Sequence, residues 1–223
     1  MSDRKAEIAR NLQEVKERII GAAKSANRDP NEIELIVVTK TFPISDIEIL
    51  RDLGETNFGE NRDQEAGPKA EIISATWHFQ GQIQSNKIKS ICQWADVIHS
   101  ISSEKEILKF AQSERKHQLF LQVSLDGQEG RGGASRAELA QLADLVNESN
   151  NLELLGLMAV APLGVEPDKA FADLAQINQG FASQFLNSKF LSAGMSGDFE
   201  AAIKYGATHI RVGSSILGSR SPH

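Results

Sequence analysis

The sequence predicts an α/β protein of one domain, a closed (β/α)8 or TIM barrel with an extra helix at its N-terminus. Three observations predict it. Eight short β-rich runs recur along the chain, and amphipathic helical stretches separate them. Several of these runs are continuously apolar rather than alternating, the pattern of parallel strands covered by helices. A doubly wound open sheet is the rival, because strand count alone does not close a barrel.

In chain order, residues 3–25 carry Ile8, Leu12, Val15, Ile19 and Ala22 at spacings of four, three, four and three, one face of a helix. Asp29 or Asn31, with Pro30, punctuates the chain before the first strand, Leu35–Thr39. The remaining strands read Asn57–Glu60, Thr76–Gly81, Val97–Ile101, Leu119–Leu125, Leu154–Val160, Phe190–Gly194 and His209–Gly213. Between them, Leu139, Leu142, Ala143 and Val146 form one helical stripe, and Ala170, Leu174, Ile177 and Phe181 another. Asp198-Phe199-Glu200 opens a short helix, acids in its first turn, that Gly206 closes. About ten residues follow the eighth strand, too few for a full closing helix. Helix 3–25 is therefore expected to pack on the outside near that gap.

Composition narrows the function classes. The chain has 223 residues, 40% hydrophobic and 24% charged, ordinary for a globular protein with a core. No apolar run approaches ~18 residues, so no transmembrane helix is expected. The mixed-charge start has neither an apolar h-region nor the acid-poor character of a transit peptide. One cysteine, Cys92, makes neither an intramolecular disulfide nor a thiolate cluster, which suits a reducing cytoplasm. Lys+Arg 24 against Asp+Glu 30 gives −6, and aromatics are 6%, which argues against a nucleic-acid-binding surface. A soluble enzyme or small-molecule binder remains.

In such a barrel the functional groups sit at the carboxyl ends of the strands, and phosphates commonly sit after strands seven and eight. Those places read Ala193-Gly194-Met195-Ser196-Gly197-Asp198 and Arg211-Val212-Gly213-Ser214-Ser215. Glycines let the backbone approach an anion, serines add hydroxyl donors, and a helix N-terminus follows Gly197. Ordinary turn chemistry explains either segment alone; two at the two expected positions point to a phosphate site. Lys40 closes the first strand, either as a solvated strand-end lysine or as an amine in the mouth that forms a Schiff base with a carbonyl. With a phosphate site opposite, the second reading suits pyridoxal 5′-phosphate (PLP), an aldehyde at one end and a phosphate at the other. Arg211 faces the cofactor's pyridine nitrogen or serves as an ion-pair partner. A cation at that nitrogen opposes its protonation and weakens the ring as an electron sink. His78 reads as a general base in the mouth or as a hydrogen-bonded wall residue, and Cys92 as packing. His78, His99, His117, His209 and His223 show no metal-ligand spacing, and Ser113-Glu114-Arg115-Lys116-His117 reads as a solvated helix end.

Six ordered motifs then become recognisable. They are Val38-Thr39-Lys40-Thr41, Phe58-Gly59-Glu60-Asn61, His78-Phe79-Gln80-Gly81 with Gln84-Ser85-Asn86-Lys87, Gly156-Leu157-Met158-Ala159, Gly194-Met195-Ser196-Gly197-Asp198-Phe199-Glu200-Ala201-Ala202-Ile203 and Ile210-Arg211-Val212-Gly213-Ser214. From Leu35 to Gly218 the chain resembles the pyridoxal phosphate homeostasis protein family, most of all its cyanobacterial branch. The resemblance implies a fold like the barrel domain of alanine racemase (fold type III), usually monomeric. It implies PLP held as a Schiff base on Lys40. Ser196, Gly197, Gly213 and Ser214 would hold the phosphate, and Arg211 would approach the ring nitrogen. Asn61 and Met158 would line the ring, with His78 and Met195 close by. It further implies a role in balancing pools of PLP and of amino and keto acids, without robust enzymatic turnover. Transient delivery of PLP to apoenzymes belongs to the same expectation. The stretch Asp126-Gly127-Gln128-Glu129-Gly130-Arg131-Gly132-Gly133 departs from a Glu-Ser-x-Lys-x-Gly-like pattern of many relatives, so no role passes to Glu129 or Arg131. Ser214 stands where many relatives have threonine and keeps the hydroxyl.

Three functions are weighed: a PLP carrier or buffer, a weak or narrow racemase-like PLP enzyme, and a barrel enzyme using Lys40 on a phosphorylated sugar. Two-base racemisation needs a second base opposite the lysine, which alanine racemase takes as a tyrosine from a C-terminal domain. The only tyrosine is Tyr205, expected in the short helix outside the barrel, so efficient racemisation is not expected.

Overall fold

A strand buried on both faces has no alternation to display, and the apolar runs here become such strands. The computed structural model describes residues 3–128 and 132–218. Its strands are β1 (Glu34–Val38), β2 (Asn57–Glu60), β3 (Thr76–Phe79), β4 (Val97–Ile101), β5 (His117–Gln122), β6 (Leu152–Met158), β7 (Phe190–Ser192) and β8 (His209–Val212). They pair in parallel, in chain order, into a closed barrel. Closure is made by β8 on β1, from Glu34 opposite His209 to Val37 opposite Val212, and rules out the open sheet. Around the barrel lie α1 (Asp3–Ser25), α2 (Ile44–Asp52), α3 (Asp63–Ile72), α4 (Ile88–Trp94), α5 (Glu104–Phe110), α6 (Leu139–Asn147), α7 (Pro167–Gln184), α8 (Phe199–Lys204) and α9 (Ser214–Leu217).

Alternation along each strand divides the burial into two compartments. Outward residues such as Val37, Phe58, Trp77, Leu121 and Ile210 pack under the helices in the main core. Inward, Val97, Phe120, Leu155 and Met158 form a small separate cluster against Phe190. The rest of the interior is unusually polar: His78, His99, Ser192, His209 and Arg211 are all buried. Between β5 and β6 the register slips after Leu119, and β6 comes close to β7 at Gly156. A Cβ at Gly156 would lie 1.9 Å from the Phe190 carbonyl oxygen, so only glycine fits.

Helix α1 buries Ile8, Leu12, Val15, Ile19 and Ala23; Ala22 is only part-buried, because the drift of a 3.6-residue turn moves the face by one position over this length. It packs on α2, α8 and α9, on the side where a closing helix is missing. There it serves the ends of its neighbours: Asn11 Nδ2 donates to the Ile216 carbonyl at 3.0 Å and Arg4 Nη2 to the Leu217 carbonyl at 3.0 Å. Just beyond α1, the Arg28 guanidinium caps α8 through the Ile203 and Ala207 carbonyls at 2.8 and 2.7 Å.

Of the expected solvated helix end at Ser113–His117, Glu114, Arg115 and Lys116 are exposed as expected, but the helix end and His117 are corrected. Helix α5 stops at Phe110, and His117 opens β5, buried, its ring between the Ala95 carbonyl and the Ser113 hydroxyl. Arg115 reaches Asp96 at 2.7 Å and the Cys92 and Gln93 carbonyls, so the run is a folded connection into a strand. Cys92 is buried in α4. Glu129, Arg131 and His223 lie outside the described residues.

Candidate functional site

The carboxyl ends of the strands open on a cavity of about 750 Å³, within the range small-molecule sites occupy. Nine of the ten residues expected from sequence line it: Lys40, Asn61, Met158, Met195, Ser196, Gly197, Arg211, Gly213 and Ser214. Those on or just beyond a strand arrive by strand geometry, the others by the turns after β7 and β8. Lys40 lies two residues beyond Val38 on the inward parity of β1, and Asn61 two beyond Gly59 on β2.

The backbone on both sides of Lys40 is clamped by α3. Lys69 Nζ donates to the Thr39 carbonyl at 2.9 Å and to Glu60 Oε1 at 2.6 Å, while Thr39 Oγ1 donates to the same Glu60 oxygen at 2.8 Å. Burial pushes the Glu60 carboxyl up, and Lys69 opposes that shift. On the other side, Thr41 has φ +68°, a left-handed conformation that a β-branched residue rarely adopts. Its N–H donates to Glu65 Oε2 at 2.9 Å. Burial raises the Glu65 carboxyl, but the Thr41 N–H and Arg62 outweigh it and take the group below its usual range.

Opposite Lys40, two turns interlock. In the turn after β7, the Met195 N–H donates to Asp198 Oδ1 at 2.6 Å. Gly194 there has φ +92°, and a Cβ would lie 2.8 Å from Phe199 Cα, so the turn requires glycine. In the turn after β8, the Gly213 and Ser215 N–H groups point at Ser196 Oγ from 3.3 and 3.4 Å. These bonds are long, which leaves two amide donors and the Ser196 and Ser214 hydroxyls for a stronger acceptor such as phosphate. Asn61 also lines the cavity, and its Oδ1 is a buried acceptor without a hydrogen-bond partner.

At the floor, Arg211 is buried, its Nη1 donating to Ser192 Oγ at 2.6 Å and its Nη2 to the Ala159 carbonyl at 3.1 Å. Burial lowers its pKa to about 10 against the pull of Asp198, so it is a cation at neutral pH. The cavity lining thus holds one amine and one guanidinium. Among the described residues it holds no imidazole, phenol, thiol or carboxylate.

Known proteins resemble this chain over nearly its full length. Residues 5–221 match the family model for the alanine racemase N-terminal domain. A Mycobacterium leprae pyridoxal phosphate homeostasis protein is 39% identical over 99% of this chain and 96% of its own. Its Corynebacterium glutamicum counterpart is 42% identical over 91% and 97%. This chain belongs to the pyridoxal phosphate homeostasis protein family. Among solved structures, PipY of Synechococcus elongatus with PLP bound superposes with a TM-score of 0.80 at 31% identity, over 95% of this chain and 100% of that one.

For this homeostasis-family chain one expected residue lies elsewhere. His78 does not line the cavity. It sits in β3 below Gln80, which does, with its Nδ1 2.9 Å from His99 Nε2 and its Nε2 3.2 Å from Asn57 Oδ1. It is the hydrogen-bonded wall residue, and burial takes its pKa down to about 3. Tyr205 ends α8, outside the barrel. Sequence reasoning passed over Phe42, Gln80, Gln82 and Val160, all of which line the cavity. Parity held the signal: once residue 78 of β3 faces inward, Gln80 must also, one step nearer the mouth.

Proposed function

We propose that this protein binds PLP in the mouth of its barrel and carries or buffers it, with the Lys40 amine as the covalent attachment point. Bound PLP supplies an aldehyde for that amine and an aromatic ring that accepts electrons. What supports the reading is one observation above the rest. Lys40, the Arg211 cation and two interlocked turns rich in amide and hydroxyl donors converge on one cavity. The turns after β7 and β8 offer donors for the phosphate. Asn61 and Met158 would line the ring, with Met195 close by, and Arg211 would approach its nitrogen.

The same inventory favours carrying over racemase-like turnover. Arg211 cannot give a proton to the pyridine nitrogen at neutral pH, since its pKa is near 10. Among the described lining residues no second acid or base faces Lys40, so a proton taken from one side of a substrate carbon has no return from the other. We read the protein further as one domain, a cytoplasmic monomer able to hand PLP to apoenzymes. The rim residues Met195 and Val160, 41% and 45% exposed, leave the mouth accessible for that exchange.

The test is a PLP titration of the purified protein followed by absorbance, then assays with amino acids. A new absorption band without turnover supports a carrier, and racemisation at enzymatic rates moves the protein to the racemase-like reading. A chain that takes up no PLP contradicts both and leaves the phosphorylated-sugar enzyme.

A further inference from the structure

Beneath the cavity the interior of the barrel holds a polar sequence that a carrier of PLP does not need for packing. Arg211 Nη1 donates to Ser192 Oγ at 2.6 Å, and Ser192 Oγ lies 2.8 Å from His99 Nδ1. His99 Nε2 lies 2.9 Å from His78 Nδ1, and His78 Nε2 lies 3.2 Å from Asn57 Oδ1. Four side chains on four strands, β7, β4, β3 and β2, thereby connect the cavity floor to the opposite end of the barrel.

Counting donors gives this sequence a direction. A guanidinium only donates, so Ser192 Oγ accepts from Arg211, and the arrangement that leaves no hydroxyl proton without an acceptor has Ser192 donating to His99 Nδ1. A neutral His99 then carries its hydrogen on Nε2 and donates to His78 Nδ1. His78 in turn carries its hydrogen on Nε2 and donates to the Asn57 oxygen. Each group accepts once and donates once, with no conflict along the line. Both imidazoles are buried deeply enough to stay neutral, His78 at a pKa of about 3 and His99 well below its ordinary value. His99 also stacks on Phe120, ring centroids 4.7 Å apart at 24°, which fixes its plane.

We propose that Ser192 and His99 are positioning residues for Arg211. Their ordered hydrogen bonds, all donating away from the cavity, hold the guanidinium in one orientation at its floor. Without the Ser192 hydroxyl, Arg211 keeps only the Ala159 carbonyl among the partners described, and its Nη1 has no acceptor to fix it. The proposal rests on the PLP reading only for what Arg211 faces; the ordering itself belongs to the protein alone.

Two measurements test it. The first is a long-range proton–nitrogen NMR spectrum of the ¹⁵N-labelled protein without PLP. Both His99 and His78 are expected as neutral Nε2–H tautomers near neutral pH; an Nδ1–H tautomer at His99 overturns the ordering. The second compares wild type, Ser192→Ala and Ser192→Thr by PLP titration. Ser192→Ala is expected to shift the absorption band of bound PLP and weaken binding roughly 3- to 10-fold, whereas Ser192→Thr, which keeps the hydroxyl, restores the wild-type band. A merely structural role for Ser192 would lower the melting temperature and leave the band where it was. A folded Ser192→Ala protein with wild-type band and affinity overturns the proposal. If Ser192→Ala does not fold, the tautomers decide. If wild type takes up no PLP, the cofactor reading fails on its own and the tautomers still decide the ordering.

Discussion

The residues flanking Lys40 are fixed by α3, through Lys69 on Thr39 and Glu65 on Thr41, and the Lys69–Glu60 pair is the buried half of that clamp. Removing one partner of a buried pair leaves an uncompensated charge, which costs about 3–5 kcal/mol. Lys69→Met is therefore expected to lower unfolding free energy by that order at about pH 8. Burial already raises the Glu60 carboxyl, and without Lys69 it rises further above its unfolded value. A raised carboxyl contributes stability below its unfolded pKa and loses it as pH climbs, so the deficit should shrink towards about pH 5. Urea unfolding at both values checks this; equal deficits would mean that Glu60 is not the group left charged. At this scale the motifs made Lys40, Arg211 and the two turns legible. Of the two readings open for His78, the structure gives the hydrogen-bonded wall residue, because His78 lies one inward step, roughly 6–7 Å, deeper than Gln80, and a strand's last inward residue and the one before it look alike in sequence. The line through Ser192 and His99 was not legible, because it gathers side chains from strands far apart in the chain.

Helix α1 shows what an element contributes without touching the cavity. It covers the flank of α8 and α9, the short helices that follow the turns after β7 and β8, and holds the end of α9 through Asn11 and Arg4. Ile8 is fully buried in this contact. Truncating such a residue costs about 2–5 kcal/mol, because the cavity left behind closes only in part. Ile8→Ala is expected to cost that much in denaturant unfolding while the folded protein still takes up PLP. A loss well under ~1 kcal/mol would mean that α1 is not part of the cooperative unit. The helix was readable from its apolar spacing, and its place beside the gap from the short stretch after the eighth strand. Strand ends were less so: β3 stops at Phe79, and Gln80 and Gly81 leave the ladder to form the cavity wall. Composition does not separate a residue that pairs from one that only lines.

At the scale of the whole molecule, the polar barrel interior ties stability to pH. His78 and His209 have pKa values lowered to about 3 and about 4 by burial, and His99 lies well below 6.5. Unfolded, each binds a proton near 6.5, so below that value the unfolded chain holds more protons than the folded one. Folding stability is then complete above about pH 6.5 and declines below it, by up to about 1.4 kcal/mol per pH unit for each histidine until its folded pKa is reached. Unfolding midpoints measured from about pH 7.5 to 5 should fall steadily below 6.5; a flat profile would contradict neutral, buried imidazoles.

On the reading proposed above, the chemistry of the mouth begins at Lys40. The most direct measurement is the absorption spectrum of the PLP-treated protein before and after borohydride reduction, with peptide mapping of the reduced adduct. We expect a band that reduction removes and a pyridoxyl group on the peptide carrying Lys40, absent from Lys40→Ala. An adduct on another lysine, or an unchanged spectrum in Lys40→Ala, would contradict the assignment of Lys40 as the attachment point.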